Sequence, residues 1–517
     1  MRLRLRPLGV LLTIASLLAG ALLVGAGGPA TAAGVSFQGR VSSLVDGTGL
    51  GGMQVEIVSV NADGSFGTVL FSTLTSTDAV DTGYFDLALP ASKPAGKAAV
   101  RAVDPAGRYM ASYDDWGKTY PAPHNLTGGG VWDSIYAGVP WRNASFGMLA
   151  AGRYVPIPPV RLADTRVNGH GPMRRGDWYE VPVPALVGDP VAYVVNVTAT
   201  RTECAADYIA VGTNVVGYPW GAETSLVNGH AGADVANIAV IRALRRDDGL
   251  VLYNHACSTD VIVDLQGYYD SEGGGAGYVP VTPERVLDTR AGSGALGAAQ
   301  SRRVDLAALA SDLPDDAVAV AVNLTATGTT ATTSYLSAYA TGDADGRSTS
   351  VLNAYRGQDV ANLAIVPLAD DGSIEIYNNA GQTDVVVDVQ GWYTASGGVS
   401  FWPLDHRRLT TGDPVLGAGQ ERLVGAPGRG IEIPADATAL AVNLTSAAGT
   451  ASTSYVTAYP AGSGRPLASN LNTRRGVDLA NGAVVGLGTA GHRLYNNSGS
   501  VRLLEDIQGY FAPGPLD

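Results

Sequence analysis

The sequence predicts an all-β protein: four tandem β-rich domains, most simply β-sandwiches, with closed barrels as the second choice. Three observations predict it. Side chains alternate with a period of two along short segments. Turn formers are abundant, with 67 Gly and 28 Pro in 517 residues, while Lys is scarce and helical periodicity is hard to find. Finally, the chain repeats itself at a spacing near 120 residues, Gln266 to Gln390 being 124 residues and Gln390 to Gln508 being 118.

The copies span 154–270, 278–395 and 400–512. Each ends alike, in Asp264-Leu-Gln-Gly-Tyr-Tyr269, Asp388-Val-Gln-Gly-Trp-Tyr393 and Asp506-Ile-Gln-Gly-Tyr-Phe511. Before the ending comes a Tyr-Asn pair (Asn254, Asn378, Asn496), and earlier an Asp-x-Ala-Asn motif (Asn237, Asn362, Asn481). Earlier still lies Val-Asn-x-Thr, with Asn196, Asn323 and Asn443. Two copies open with Asp164-Thr-Arg166 and Asp288-Thr-Arg290, whereas the third reads Arg407-Arg-Leu-Thr-Thr-Gly412. The third also has Arg502 where the others have Asp260 and Asp384. Such a period is too long for a solenoid or propeller blade, and each copy is large enough to own a core. The Gly-rich spacers at 271–277 and 395–399 predict independent beads on a string.

Within a copy, Val318, Val320, Val322 and Leu324 share one face of a strand, and Ala319, Ala321, Asn323 and Thr325 the other. Large and small groups alternating in this way suit a strand packed on both sides. Further strands are expected near 334–340, 350–354, 361–368, 373–377 and 384–389, about eight per copy, separated by turns such as Asp371-Gly372.

At the N-terminus a cationic stretch (Arg2, Arg4, Arg6) precedes an apolar run from Leu8 to about Gly25 and a small-residue Ala-Thr-Ala-Ala33 site. That order is a cleavable signal peptide over 1–33, so the mature chain is expected to be secreted and extracellular, with no transmembrane segment. Net charge is −13, and −16 without the three leader arginines, which makes nucleic acid and anionic lipid poor partners.

Residues 34–150 do not match the repeats. They run from Phe37-Gln-Gly-Arg-Val41 through Asp46-Gly-Thr-Gly-Leu50, Met53-Gln-Val-Glu-Ile-Val58 and Thr75-Ser-Thr77 to Gly83-Tyr-Phe-Asp-Leu87 and Ala98–Val103. This order resembles the carboxypeptidase-regulatory-like, or transthyretin-like, β-sandwich family. The resemblance implies an accessory, adhesive or spacer domain without chemistry of its own. The three copies resemble a repeat of secreted actinobacterial proteins that runs from L-D-T-R through V-N-x-T and V-A-N to D-V-Q-G-Y. That resemblance implies an extracellular role at a cell surface or on a polymer.

The six histidines, His124, His170, His230, His255, His406 and His492, have no counterpart histidine in another copy, and no H-E-x-x-H, G-x-S-x-G or P-loop spacing is present, which leaves open a triad assembled from distant residues. Cys204 and Cys257 both fall in the first copy and predict a disulfide stapling two of its loops, the competing reading being a metal site with His230 and His255. The repeated polar positions Asp264, Gln266, Asp388, Gln390, Asp506 and Gln508 are expected to be structural, with Asp accepting from Arg166 or Arg290 or from loop N–H groups. Since Gly412 stands where the third Arg would be, such a pair would not be universal. A calcium or sugar-hydroxyl site is the alternative at these oxygens. Asn237, Asn362 and Asn481 read as turn-closing residues. Tyr113, Trp116, Tyr120, Trp132, Tyr136 and Trp141 crowd a Gly- and Pro-rich stretch that reads as loop and is the best candidate ligand platform, unless it packs over the first sandwich.

These readings together predict a secreted, non-enzymatic binding or scaffold protein for an extracellular glycan or cell-surface component, needing no cofactor. The alternative is a secreted hydrolase with its site in the first copy, which alone holds both cysteines and three histidines.

Overall fold

The computed structural model describes residues 36–43, 47–60, 66–88, 97–109, 112–115, 118–121, 143–148, 150–215, 218–220, 224–243, 249–343, 345–409, 415–425 and 433–517. The leader and its cleavage site lie outside the described residues. Everything described is strand and turn apart from one short α-helix and one 3-10 turn, both in the second repeat.

The N-terminal unit is a sandwich of two sheets. In one, Ser36–Ser43 lies between Tyr84–Ala88, to which it is antiparallel, and Asn143–Met148, to which it is parallel. The other is five-stranded, in the order Phe66–Leu74, Gln54–Val60, Lys97–Val103, Ser112–Asp115 and Lys118–Pro121. Period-two alternation puts Val55 and Ile57 inward against Phe37, Val41, Phe85 and Val100.

Each repeat is likewise a two-sheet sandwich. In the second, one sheet has the order Gly277–Asp288, Asp384–Thr394, Ala317–Thr327, Val360–Pro367. Its partner has the order Gln300–Asp305, Ser373–Asn378, Thr333–Ala340, Leu352–Tyr355. The third repeat follows the same plan, and the first adds one short strand. The expected strands are all present.

The beads-on-a-string expectation fails. One face of Ala317–Thr327, carrying Val320, Val322 and Leu324, fills the repeat's own sandwich. The opposite face, with Ala319 and Ala321, enters a separate core built from all three repeats, beside Ala192, Val194, Ala439 and Ala441. Small side chains alternate with large ones because three sheets meet here and there is little room. Six buried rings complete this central core: Tyr154, Tyr269, Tyr278, Tyr393, Phe401 and Phe511, two from each repeat. Each contributes on the order of 2–3 kcal/mol by leaving water. Buried phenols need partners. Tyr154 and Tyr278 donate to the carbonyls of Gln266 and Gln390, at 3.2 and 2.8 Å, and the Tyr269 and Tyr393 hydroxyls lie 2.7 Å apart. The third repeat has phenylalanine at both positions.

The spacers take part in this closure. Backbone bridges pair Gly152 with Phe401, Tyr154 with Ala276 and Tyr278 with Val399, so each repeat is tied to the other two. Near the C-terminus, the carbonyls of Leu516 and Gly397 accept from buried Arg153, at 2.7 and 2.6 Å. The three copies form a closed ring with threefold pseudo-symmetry inside one chain.

Candidate functional site

The shared motif residues sit where the repeats meet. Asn237, Asn362 and Asn481 are fully buried strand residues, which corrects their reading as turn closers. Nδ2 of Asn237 donates to Asn443 Oδ1 of the third repeat at 2.9 Å, and Asn481 to Asn323 of the second at 2.9 Å. Asn362 donates to Asn196 of the first at 3.2 Å, which closes the cycle. The accepting asparagines donate onward to neighbouring carbonyls: Asn196 to Ser350, Asn323 to Ser469 and Asn443 to Ser225, at 2.9, 2.6 and 2.8 Å. The Oδ1 atoms of Asn237 and Asn481 also accept, from the N–H groups of Gly482 and Leu363, whereas Asn362 Oδ1 is buried without a partner among the described residues; the cycle of buried amides specifies one register between sheets.

The Gln of each Gln-Gly-aromatic ending lies at a β-bulge, skipped in the pairing between Leu265 and Gly267, Val389 and Gly391, and Ile507 and Gly509. A bulge re-aims its side chain. Gln390 Oε1 accepts from Val484 N–H at 2.8 Å, and Gln508 Oε1 from Val240 N–H at 2.9 Å, in both cases across a repeat boundary. The following glycine has no alternative: a Cβ on Gly391 would lie 2.2 Å from the Tyr278 hydroxyl oxygen, and Gly267 meets Tyr154 in the same way.

The recurring aspartates are paired with arginine, but not the expected one. Asp264 binds Arg161, Asp388 binds Arg285 and Asp506 binds Arg408. In the second repeat the two contacts measure 2.8 and 3.1 Å, a bidentate fork. The third repeat therefore keeps the pair, through Arg408 rather than a residue at 412. Arg166 and Arg290 instead close onto Asp164 and Asp288, two residues away, each at 2.6 Å. Burial pushes the Asp264 and Asp506 carboxyls up, against the opposing pull of their arginines. The Thr of each intact Asp-Thr-Arg opening donates to a later Asp, Thr165 to Asp260 and Thr289 to Asp384, at 2.6 and 2.7 Å. Arg502 stands at the position of that Asp in the third repeat, so the acceptor of this contact is replaced there.

Cys204 and Cys257 form a disulfide, as expected, so their sulfurs are not available to a metal with His230 and His255. His255 stacks on Tyr208, with ring centroids 4.3 Å apart. His406 Nε2 donates to the Val240 carbonyl across the third-to-first boundary at 2.9 Å, and burial holds this imidazole below the ordinary histidine value. In the third repeat, fully buried His492 and Glu505 lie 2.8 Å apart. They occupy the register positions of Leu250 and Val263 in the first repeat, and of Ile374 and Val387 in the second.

Of the aromatic stretch, Tyr113 and Tyr120 are directly paired across the hairpin of Ser112–Asp115 and Lys118–Pro121, rather than lying in a loop. Trp116, Trp132, Tyr136 and Trp141 lie outside the described residues.

Hollows open between the repeats: a small one lies between the first and third beside Arg242 and His406, and two others are more spacious. The larger, with about 310 Å³ accessible to water, separates the second and third repeats and is lined by Arg285, Arg290, Thr325, Tyr455, Asn472 and Asn497 among others. The smaller, about 60 Å³, is lined by all three repeats, where His230, Tyr355 and Arg474 converge from equivalent positions. The sequence singled out His230 only as a possible metal ligand and neither Tyr355 nor Arg474, because the three residues differ. The signal available was an Asn two residues before each, Asn228, Asn353 and Asn472, which aligns the positions.

No family model and no curated protein matches the chain. Among solved structures, the N-terminal CBM22-1-CBM22-2 tandem domain of Paenibacillus barcinonensis Xyn10C matches at 11% identity and a TM-score of 0.14, covering 46% of this chain and 100% of its own. A structure of Sulfolobus Turreted Icosahedral Virus matches at 10% identity and a TM-score of 0.15, covering 79% of this chain and 90% of its own. At such TM-scores neither likeness bears on the function of this chain.

Proposed function

We propose that this chain is a secreted, non-enzymatic binding or scaffold protein acting at a cell surface or on an extracellular polysaccharide. The observation that supports it is the cleft between the second and third repeats. Hydroxyls, amides and guanidinium groups line it, together with the ring of Tyr455, and these are groups that pair with sugar hydroxyls and cover a sugar face. Its walls are held by interlocked strands, so little ordering is required on binding. The N-terminal sandwich serves as an accessory or spacer unit. Export rests on the leader over residues 1–33.

Pull-down of the purified chain on peptidoglycan, chitin and cellulose, and on whole cells, tests the reading. Retention on at least one is expected, weakened by Asn497→Ala or Tyr455→Ala. No retention on any of them overturns it. A panel of glycan and peptide substrates is expected to show no turnover, and mass spectrometry of the secreted protein is expected to find an N-terminus at residue 33 or 34.

A further inference from the structure

The pocket shared by all three repeats holds a cation without an anion. Arg474 ends the strand Leu471–Arg474 and is partly buried. Among the described residues no carboxylate lies within ion-pair distance of it, and its guanidinium makes one hydrogen-bonding contact, Nη2 to His230 Nε2 at 3.4 Å. Guanidinium groups taken out of water are ordinarily paired. Here burial pulls Arg474 below its ordinary value, with no carboxylate holding it up.

The partner imidazole is arranged to accept. Nδ1–H of His230 points to the Ala231 carbonyl at 3.4 Å, which leaves the Nε2 lone pair towards Arg474. Burial, and then the Arg474 charge, hold this histidine below its usual value, so it is neutral at pH 7. The third equivalent residue, Tyr355, is closed off: its hydroxyl donates to the Asp234 carbonyl at 3.3 Å and accepts from the Asp234 N–H. The charged and titratable groups around His230 are thus Arg474, Tyr355 and the lining carboxylates of Asp234 and Asp359. Both carboxylates are engaged elsewhere. Asp234 accepts from Thr200 and acts on Arg166, while Asp359 accepts from Thr327 and acts on Arg290.

We propose that this pocket is an oxyanion site, with Arg474 as its charged donor and His230 as a second donor once protonated. A space of about 60 Å³ is on the scale of one carboxylate or sulfate group rather than of a sugar ring. The ligand is therefore the anionic group of an acidic glycan, or a free inorganic anion of the same chemistry. Only the first source rests on the glycan-binding reading above. A bound anion favours imidazolium, so affinity rises as pH falls through the histidine range.

The test is titration of the full chain with sodium sulfate, oligogalacturonate and, as the neutral control, cellohexaose. Binding is followed by calorimetry and by the ring shifts of His230 in NMR. Sulfate or oligogalacturonate is expected to bind and to raise the His230 pKa, while cellohexaose leaves it unmoved. Arg474→Met should weaken anion binding by about tenfold to a hundredfold, the range of one charge-assisted hydrogen bond. Arg474→Lys, which keeps the charge, should retain the pKa response, and His230→Gln should bind sulfate with no pH dependence. Sulfate alone binding assigns a free anion and leaves the site standing even if the glycan reading fails; oligogalacturonate binding assigns the glycan source. The proposal is overturned if neither anion binds or moves His230 at concentrations of about 50 mM, well above a millimolar Kd. A folded Arg474→Met protein that binds as tightly as the parent overturns it equally.

Discussion

Replacing Asn237 by alanine removes one link of the asparagine ring, and its cost can be worked from its contacts. The side chain makes three bonds in a fully buried setting: Nδ2 to the Leu226 carbonyl at 2.7 Å, Nδ2 to Asn443 Oδ1 at 2.9 Å, and Oδ1 from Gly482 N–H at 2.7 Å. Truncation strands a carbonyl, an amide oxygen and a backbone N–H where water has no ready access. At roughly 1–3 kcal/mol for each buried group left unsatisfied, and with some relaxation, the expected loss is about 3–5 kcal/mol. Two of the three partners belong to the third repeat, so the loss should appear as destabilisation of the whole ring rather than of the first repeat alone. Urea unfolding followed by circular dichroism and by tryptophan fluorescence checks this, because Trp392 and Trp402 are buried in the second and third repeats. A lowered midpoint reported equally by both probes is expected. A cost below about 1 kcal/mol, the size of an ordinary exposed turn or cap, or a fluorescence transition that does not move, would refute the reasoning.

Gly391→Ala should cost about 2–3 kcal/mol by overpacking against the Tyr278 ring. A thermal melt shows it, and Tyr278→Phe in the same chain should relieve part of the loss by removing the nearest atom. Stability should fall as pH drops below about 6.5, the unfolded histidine value. His406 is held below that value in the fold, so the unfolded chain binds the proton first. In His406→Gln the slope of midpoint against pH should flatten, as measured by urea melts from pH 5 to 8. Reducing the Cys204–Cys257 bond opens a loop of 53 residues, worth at most about 4 kcal/mol of unfolded-state entropy. Although the second and third repeats carry no cysteine, reduction should lower the single transition of all three, and a two-step melt confined to the first repeat would contradict the closed ring.

Much of the candidate site was present in the sequence as repetition without meaning. The motif asparagines and glutamines recur, and recurrence alone is equally consistent with a turn, a ligand or an interface. What separates these readings is the partner, and the partners of Asn237 are 206 and 245 residues away. The Asp–Arg pairing was anticipated in kind and mistaken in detail. Arg166 is near Asp164 along the chain and turns back to it, whereas Arg161 lies across the sheet from Asp264 and faces it. Period-two reasoning would have found Arg408 in the third repeat had the strand register been known.

The sequence by itself determined the β class, the three copies, about eight strands in each and the two-sided packing of the Val-Asn-x-Thr strand, and it favoured the disulfide over a metal site. These follow from local chemistry: alternation, turn residues, and two cysteines in one copy. Only the tertiary structure decided that the copies close into a ring rather than hang as beads. Whether an alanine face meets water or two other alanine faces is a property of relative position, which short-range periodicity does not encode. For the same reason, His230, Tyr355 and Arg474 become one pocket only after the three copies meet.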